Sequence, residues 1–239
     1  MRIAIAMSGG VDSSVAALLL TKDRGQKSED RGQKTDEIIG LTMKLMSCNS
    51  RCCSLEDIYT AKRVAAKLGI PHYTIDLIDV FKHEVVDYFV NEYLCGKTPN
   101  PCVVCNQKIK FGALKEKAKT LGLDYIATGH YAEVTITADR VVLKRGKDKL
   151  KDQSYFLSML SQEALGKSIF PLSKYTKEQV KKIGKQLGVE KKESQEICFI
   201  PDNNYVEFIE SYLSSRELDS GPIIDKSGNV VGQHNGIVH

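Results

Sequence analysis

Two groups of residues in this 239-residue chain have the types and spacing to do chemistry. The first is SGGVDSS, Ser8 to Ser14, set between a short apolar run and a helical block. Adjacent Gly9 and Gly10 let the backbone approach an anion closely, serine hydroxyls add donors, and a helix starting near Asp12 or Ser13 presents free N–H groups with a partial positive charge. This is an anion cradle. It is neither a Walker A loop, since the lysine of GxxxxGK[ST] is missing, nor GxGxxG. The second group is thiols: Cys102 and Cys105 form a CxxC in TPNPCVVCN, and Cys198 lies far off in ICFIPD. Such a pair can be a redox couple, half of a zinc site or part of an iron–sulfur site, and Pro101 before Cys102 does not decide among them. Seven cysteines, an odd number, with no signal-peptide run at the start, read as thiols for metal or catalysis rather than as a disulfide framework. Cys48, Cys52, Cys53 and Cys95 have no usable partner spacing and read as structural or incidental thiols.

The elements that must position these groups alternate. RIAIAM reads as a strand ended by SGG, DSSVAALLLTK as a helix, EIIGLTMKLM as a strand, LEDIYTAKRVAAKLG as a helix closed by Gly69, and IPHYTIDL as a third strand. FKHEVVDYFVNEYL reads as a helix, KTPNPCVVCN as a proline-punctuated loop, FGALKEKAKTLG as a helix and DYIATGHYAEV as one strand. Strands alternating with helices predict an α/β fold, a parallel sheet covered on both faces with ligands beyond the carboxyl ends of its strands. Further on, VVLKRG reads as a strand, DQSYFLSMLS and TKEQVKKIGKQLG as helices, and GPIIDKSGNVVGQHNGIVH as two short strands around KSGN. The tandem DRGQK, at Asp23 to Lys27 and Asp30 to Lys34, reads as a solvated loop insertion.

Composition narrows the class. The chain is 42% apolar and 27% charged, which excludes disordered and collagenous classes, and its longest wholly apolar stretch, Val15 to Leu20, is too short for a bilayer span. A cytoplasmic protein without membrane association is expected. Net charge is only +4, yet the windows Lys97–Lys119, Arg140–Lys151 and Lys174–Lys192 each carry a net +5. Three basic windows on an otherwise acidic chain make a polyanion partner such as nucleic acid worth expecting.

In order along the chain, SGGVDSS, TPNPxxxCN, ATGHY, KDQSYFL, ICFI and GxxxGxHxG resemble the tRNA-specific 2-thiouridylase family of PP-loop ATP pyrophosphatases, over essentially the whole chain. The resemblance implies a Rossmann-like, adenine nucleotide alpha hydrolase-like sheet over residues 1–203. It also implies the beginning of a small β-rich middle domain over 204–239, with the family's C-terminal β-barrel absent. The implied reaction replaces O2 of the wobble uridine of a tRNA anticodon stem-loop with sulfur, using ATP and Mg²⁺ and sulfur delivered by a donor protein. Ala6, Met7, Ser8, Gly9, Gly10, Val11, Asp12 and Ser13 match the ATP loop, with Asp12 also a Mg²⁺ ligand, and Met43 and Gly129 match adenine-side contacts. Asn100, Pro101 and Cys102 match the loop that receives the target base, and Lys151, Asp152 and Gln153 match a tRNA-contacting segment. Cys105 matches the nucleophile, Cys198 the persulfide carrier, and His130 a histidine that matters for activity. The family commonly has Asp where this chain has Cys102, so the general base is not carried over. Three cysteines, Cys102, Cys105 and Cys198, could instead hold a [4Fe–4S] cluster. Rival readings are a PP-loop ligase adenylating a small molecule, which needs neither relay cysteine, and an ATP-binding module without chemistry of its own.

Overall fold

The structure is a computed structural model that describes residues 1–31, 37–46, 55–189, 197–200, 203–213 and 218–239, the backbone alone over 24–31. Its strands, in chain order, are β1 (Arg2–Ala6), β2 (Glu37–Lys44), β3 (His72–Asp76), β4 (Tyr125–Ala127), β5 (Ala132–Ile136), β6 (Val141–Arg145), β7 (Ser168–Ile169), β8 (Gly221–Ile224) and β9 (Val230–His234). Five of them form a parallel sheet ordered β3-β2-β1-β4-β7. From β1 the chain steps outward to β2 and β3, then returns to the other side of β1 for β4 and β7. The order reverses beside β1, so the crevice between the loops after β1 and β4 is where such sheets bind ligands.

The helices are α1 (Val11–Arg31), α2 (Leu55–Lys67), α3 (Ile78–Phe81), α4 (Asp87–Leu94), α5 (Pro101–Val104), α6 (Leu114–Thr120), α7 (Gln162–Gly166), α8 (Lys177–Leu187) and α9 (Tyr205–Leu213). A π-type turn, Lys82–Val86, joins α3 to α4, and a longer π stretch, Cys105–Ala113, joins α5 to α6.

The two faces of the sheet bury separate cores, as period-two strands sandwiched by helices must. Ala4 and Ala6 of β1 and Ile39 and Leu41 of β2 face one side, where they meet Phe81, Phe89, Ile109 and Leu114. Ile3, Ile5 and Met7 face the other, against Val15 and Ala16 of α1, Ala61 and Val64 of α2 and Val180 of α8. The first core also takes in Ile209 of α9 and Val238.

Several sequence expectations are corrected. The first DRGQK copy is not a loop: α1 runs on through it to Arg31, because Lys, Arg, Gln, Glu and Asp extend a helix without needing burial and a single glycine costs only about 1 kcal/mol. The end of the second copy, residues 32–34, lies outside the described residues, as do Cys48, Cys52 and Cys53. Cys102 and Cys105 are helical rather than in a loop, since Pro101 occupies the first position of α5 and the Asn100 side chain accepts from Val103 N at 3.3 Å. DYIATGHYAEV is two strands: β4 belongs to the parallel sheet, β5 pairs with β6 in a separate antiparallel hairpin, and Thr128–Tyr131 forms the break between them. DQSYFLSMLS gives only a 3₁₀ turn, Ser154–Leu157. Strand β7 and helix α9 were not expected.

Candidate active site

The turn after β1 is built from its own side chains. Ser13 Oγ accepts from Ser8 N at 3.1 Å, lies 3.3 Å from Ser8 Oγ and donates to Gly10 O at 3.1 Å. Met7 anchors the approach, its N donating to Leu41 O at 2.8 Å and its O accepting from Thr42 Oγ1 at 2.7 Å. Gly9 has φ +74°, and any Cβ there would strike the backbone of Asp57 at the start of α2. Val11 and Asp12 then open α1.

The loop after β4 closes on this turn. A Cβ at Gly129 would lie 2.9 Å from Asp12 C and Ser13 N, so only glycine lets the two loops meet this closely. Beside it Tyr131 donates its hydroxyl to Asp12 Oδ1 at 2.9 Å. Lys177, the first residue of α8, places Nζ 2.8 and 2.7 Å from the two Asp12 oxygens. The carboxylate expected to hold Mg²⁺ is therefore engaged by an ammonium and a phenol. As it stands, it does not fit a metal ligand.

A second network ties residues 148–153 to the same place. Gln153 and Tyr131 exchange hydrogen bonds, Gln153 N to Tyr131 O at 3.0 Å and Tyr131 N to Gln153 Oε1 at 3.1 Å. Asp148 accepts from the backbone N–H of Leu150, Lys151 and Lys177, which holds its carboxyl below the usual carboxylate range, the Lys177 bond contributing most. Lys151 is exposed, and Asp152 accepts from Ser154 Oγ at 2.8 Å and pairs with Arg145 at 3.6 Å.

The thiols lie on α5, at the start of the π stretch after it, and at residue 198. Cys102 is partly buried, Cys105 buried and Cys198 exposed. Burial pushes the Cys102 thiol up, Cys198 pushes it further, and Lys110 pulls it back. Cys198 is thus near enough to Cys102 to affect its charge, although far from it in sequence. Asn106, buried next to Cys105, donates Nδ2 to Phe156 O at 3.0 Å and so joins the cysteine stretch to the segment following Gln153. His130 is buried with Nδ1 2.7 Å from Thr128 Oγ1 and its ring against Phe111 and Phe170. Burial, then the Lys110 cation, holds its pKa well below the ordinary imidazole value, so the ring is neutral. Met43 lies at the end of β2, half-buried against the first core. Among the described residues, no three Cys, His, Asp or Glu side chains gather into a group that could hold a metal ion. The donor set expected for a [4Fe–4S] cluster is not assembled.

The family model described as tRNA methyl transferase HUP domain matches residues 1–202. The chain belongs to the tRNA methyl transferase HUP domain family. Two curated relatives of this HUP-domain chain are tRNA-specific 2-thiouridylases. That of Caldanaerobacter subterraneus subsp. tengcongensis is 48% identical over 100% of this chain and 66% of its own, and that of Geotalea uraniireducens is 49% identical over 98% and 63%. The chain thus spans about two thirds of the length of the curated relatives it matches. A solved structure, the U34-tRNA thiolase NcsA of Methanococcus maripaludis with its [4Fe-4S] cluster, is 19% identical, covers 92% of this chain and 74% of its own, and superposes with a TM-score of 0.54. At that identity the likeness is one of fold.

Lys177, Tyr131, Asp148, Lys110 and Asn106 were not singled out from sequence. Lys177 carried a signal: a lysine in the first turn of a helix sits at the wrong end of the dipole, which asks for a local partner. Tyr131 lay inside ATGHY without a reason to point at Asp12.

Proposed function

We propose that this chain is the catalytic part of a cytoplasmic tRNA-uridine 2-sulfurtransferase that uses ATP to thiolate the wobble uridine. What supports the reading is a glycine-rich turn locked to Gly129 at the topological switch point of the sheet, in a chain that also carries a helix-borne CxxC joined through Asn106 to the segment following Gln153. The names of the relatives agree with it. The small-molecule ligase and the bare ATP-binding module leave that cysteine arrangement without a purpose.

The chemistry follows from the groups present. ATP would lie on Ser8–Ser13, with its phosphates towards the N-terminus of α1 and the adenine towards Met43 and Gly129. Uridine, extruded near Asn100, Pro101 and Cys102 while Lys151, Asp152 and Gln153 contact the tRNA, attacks the α-phosphorus through O2 and expels pyrophosphate. Cys198 carries a persulfide loaded by a sulfur-donor protein. The Cys105 thiolate attacks the inner sulfur of that persulfide, the S–S bond breaks, hydrosulfide leaves, and a Cys105–Cys198 disulfide forms. Hydrosulfide adds at C2 and AMP departs with O2. The two electrons that reduce the carried sulfur come from the two thiols, and an external thiol reductant resets them. His130, neutral and bonded to Thr128, would line the site as an uncharged polar ring rather than supply a positive charge. No step runs through a metal. Mg²⁺ on Asp12 requires Lys177 to move, and a cluster on Cys102, Cys105 and Cys198 requires the three thiols to close up.

The test is to incubate the protein, a sulfur donor, tRNA and ATP, then separate thiolated tRNA on a mercury-containing gel. AMP and pyrophosphate with thiolated tRNA are expected, and Cys105→Ala and Cys198→Ala abolish only the thiolation. ADP and phosphate as products would overturn the PP-loop assignment.

A further inference from the structure

Leu150 is 95% exposed, more than any other large apolar side chain among the described residues. A single apolar residue on a surface needs no explanation, but the backbone under this one is fixed. Asp148 Oδ1 accepts from Leu150 N at 3.1 Å and from Lys151 N at 3.2 Å, while its Oδ2 accepts from Lys177 N at 2.8 Å. Before the turn, Lys147 N donates to Ser173 O at 2.8 Å. After it, Gln153 and Tyr131 exchange their two hydrogen bonds, and Phe156 O accepts from Asn106. The segment 147–156 is thus pinned to the start of α8, to the loop after β4 and to the π stretch that begins at Cys105. Leu150 stands out from a ledge whose place beside the nucleotide turn and the CxxC helix is set.

The surroundings of Leu150 are cationic. Lys147, Lys149 and Lys151 are all exposed, and further along the ledge Tyr155 is 64% exposed. Lysines around a fixed apolar side chain complement an unpaired RNA strand, whose phosphates are anionic and whose base faces are apolar. Extruding a base from such a strand breaks its stacking on both neighbours, and a side chain that fills the gap offsets that loss. We propose that Leu150 is an apolar wedge, which enters the unpaired anticodon loop and occupies the gap left by the extruded uridine. Because the turn is ordered before RNA arrives, little freedom is lost on insertion. The inference rests on the reading of the chain as a tRNA-uridine sulfurtransferase, and it names the group that keeps the loop open, which neither the ATP turn nor the thiols supply.

The test uses the 239-residue protein and an anticodon stem-loop RNA with 2-aminopurine beside the wobble uridine, a base whose emission is quenched by stacking. Wild type raises the emission on binding. Leu150→Ala loses much of that rise and binds the stem-loop about tenfold more weakly or worse, as expected when one leucine side chain is no longer buried. Leu150→Met keeps both. A duplex with the sequence of the stem binds wild type and Leu150→Ala equally. The slope of affinity against salt is the same for these two proteins, since no charge is removed, and is lower for Lys149→Met. Wild-type emission and affinity in Leu150→Ala, or equal weakening of duplex and stem-loop, overturns the wedge. A lowered melting temperature in Leu150→Ala also overturns it, because the side chain would then be packed within the fold. If Leu150→Ala binds RNA as wild type does but takes no sulfur from the donor protein, Leu150 belongs to a protein interface and the proposal falls. Wild-type protein that does not prefer the stem-loop to the duplex overturns the tRNA reading and the wedge together. A Leu150-dependent rise in emission from a protein that never thiolates tRNA overturns the proposed function alone.

Discussion

His130 should make the protein acid-sensitive. Its ring is buried against Phe111 and Phe170, bonded to Thr128 Oγ1 and within the field of Lys110, so the folded state holds it neutral. In the unfolded chain the same imidazole takes a proton at about pH 6.5. Between the lowered folded pKa and 6.5 the unfolded state binds more protons, so stability rises with pH in that window and is lost as pH falls through it. One pH unit below the unfolded value, at pH 5.5, the loss relative to pH 8 is at most RT ln 11, about 1.4 kcal/mol. For a chain of this length that is a melting shift of about 3–6 °C. The assay is the urea midpoint of wild type and His130→Gln at both pH values, the glutamine keeping a polar group near Thr128. His72 is shifted the same way, by burial and then Lys62, but its contribution is common to both proteins and cancels in the difference. Wild type should lose more stability than His130→Gln on acidification, by up to about 1.4 kcal/mol. Parallel curves would refute the claim that this ring is kept neutral by its surroundings.

Gly129→Ala places a methyl 2.9 Å from the Asp12 and Ser13 backbone, so the turn must shift. About 1–3 kcal/mol of stability and the binding of α,β-methylene-ATP should be lost together, and an unchanged melting temperature with normal binding would show that the loops are not in contact. Mass-resolved alkylation near neutral pH should label exposed Cys95 and Cys198 ahead of Cys102, whose thiol is pushed up by burial and then by Cys198. Cys102 reacting first would remove the case for its protonated state. Thr176→Ala breaks the reciprocal cap on α8 and should cost about 1 kcal/mol in denaturant, with the stability unaffected if α8 is fixed by packing alone. Anticodon stem-loop RNA should bind with a steep dependence on salt, whereas affinity flat in salt would favour a small-molecule substrate.

What was legible in the sequence is what depends on local pattern. β1, α2 with Gly69 at φ +65°, and α8 with Gly188 at φ +71° were readable because apolar period and stop signals agree with the final packing. Thr128–Tyr131 was not, because the stretch from Tyr125 to Val134 carries no turn residue other than Gly129, and only the parallel sheet on one side and the hairpin on the other force the break. The cysteine segment is a capped helix start rather than the loop its prolines suggest, because Asn before Pro fits both and nothing local distinguishes them.

The site divides along the same line. The turn and the cysteines could be named from residue type and order, since glycine pairs and CxxC spacing are local properties. The partners that set their chemistry could not, because they arrive through topology. Lys177 reaches Asp12 only because α8 packs beside α1, and Tyr131 does so only because β4 is the neighbour of β1. Lys110 acts on both Cys102 and His130 because the π stretch carries it between the thiols and the loop after β4. A lysine at a helix start and a buried tyrosine two residues after a glycine each break a local preference slightly, and each is stabilised by a partner distant in sequence. Such small local misfits, rather than the motifs themselves, mark where the fold has brought a second residue to the chemistry.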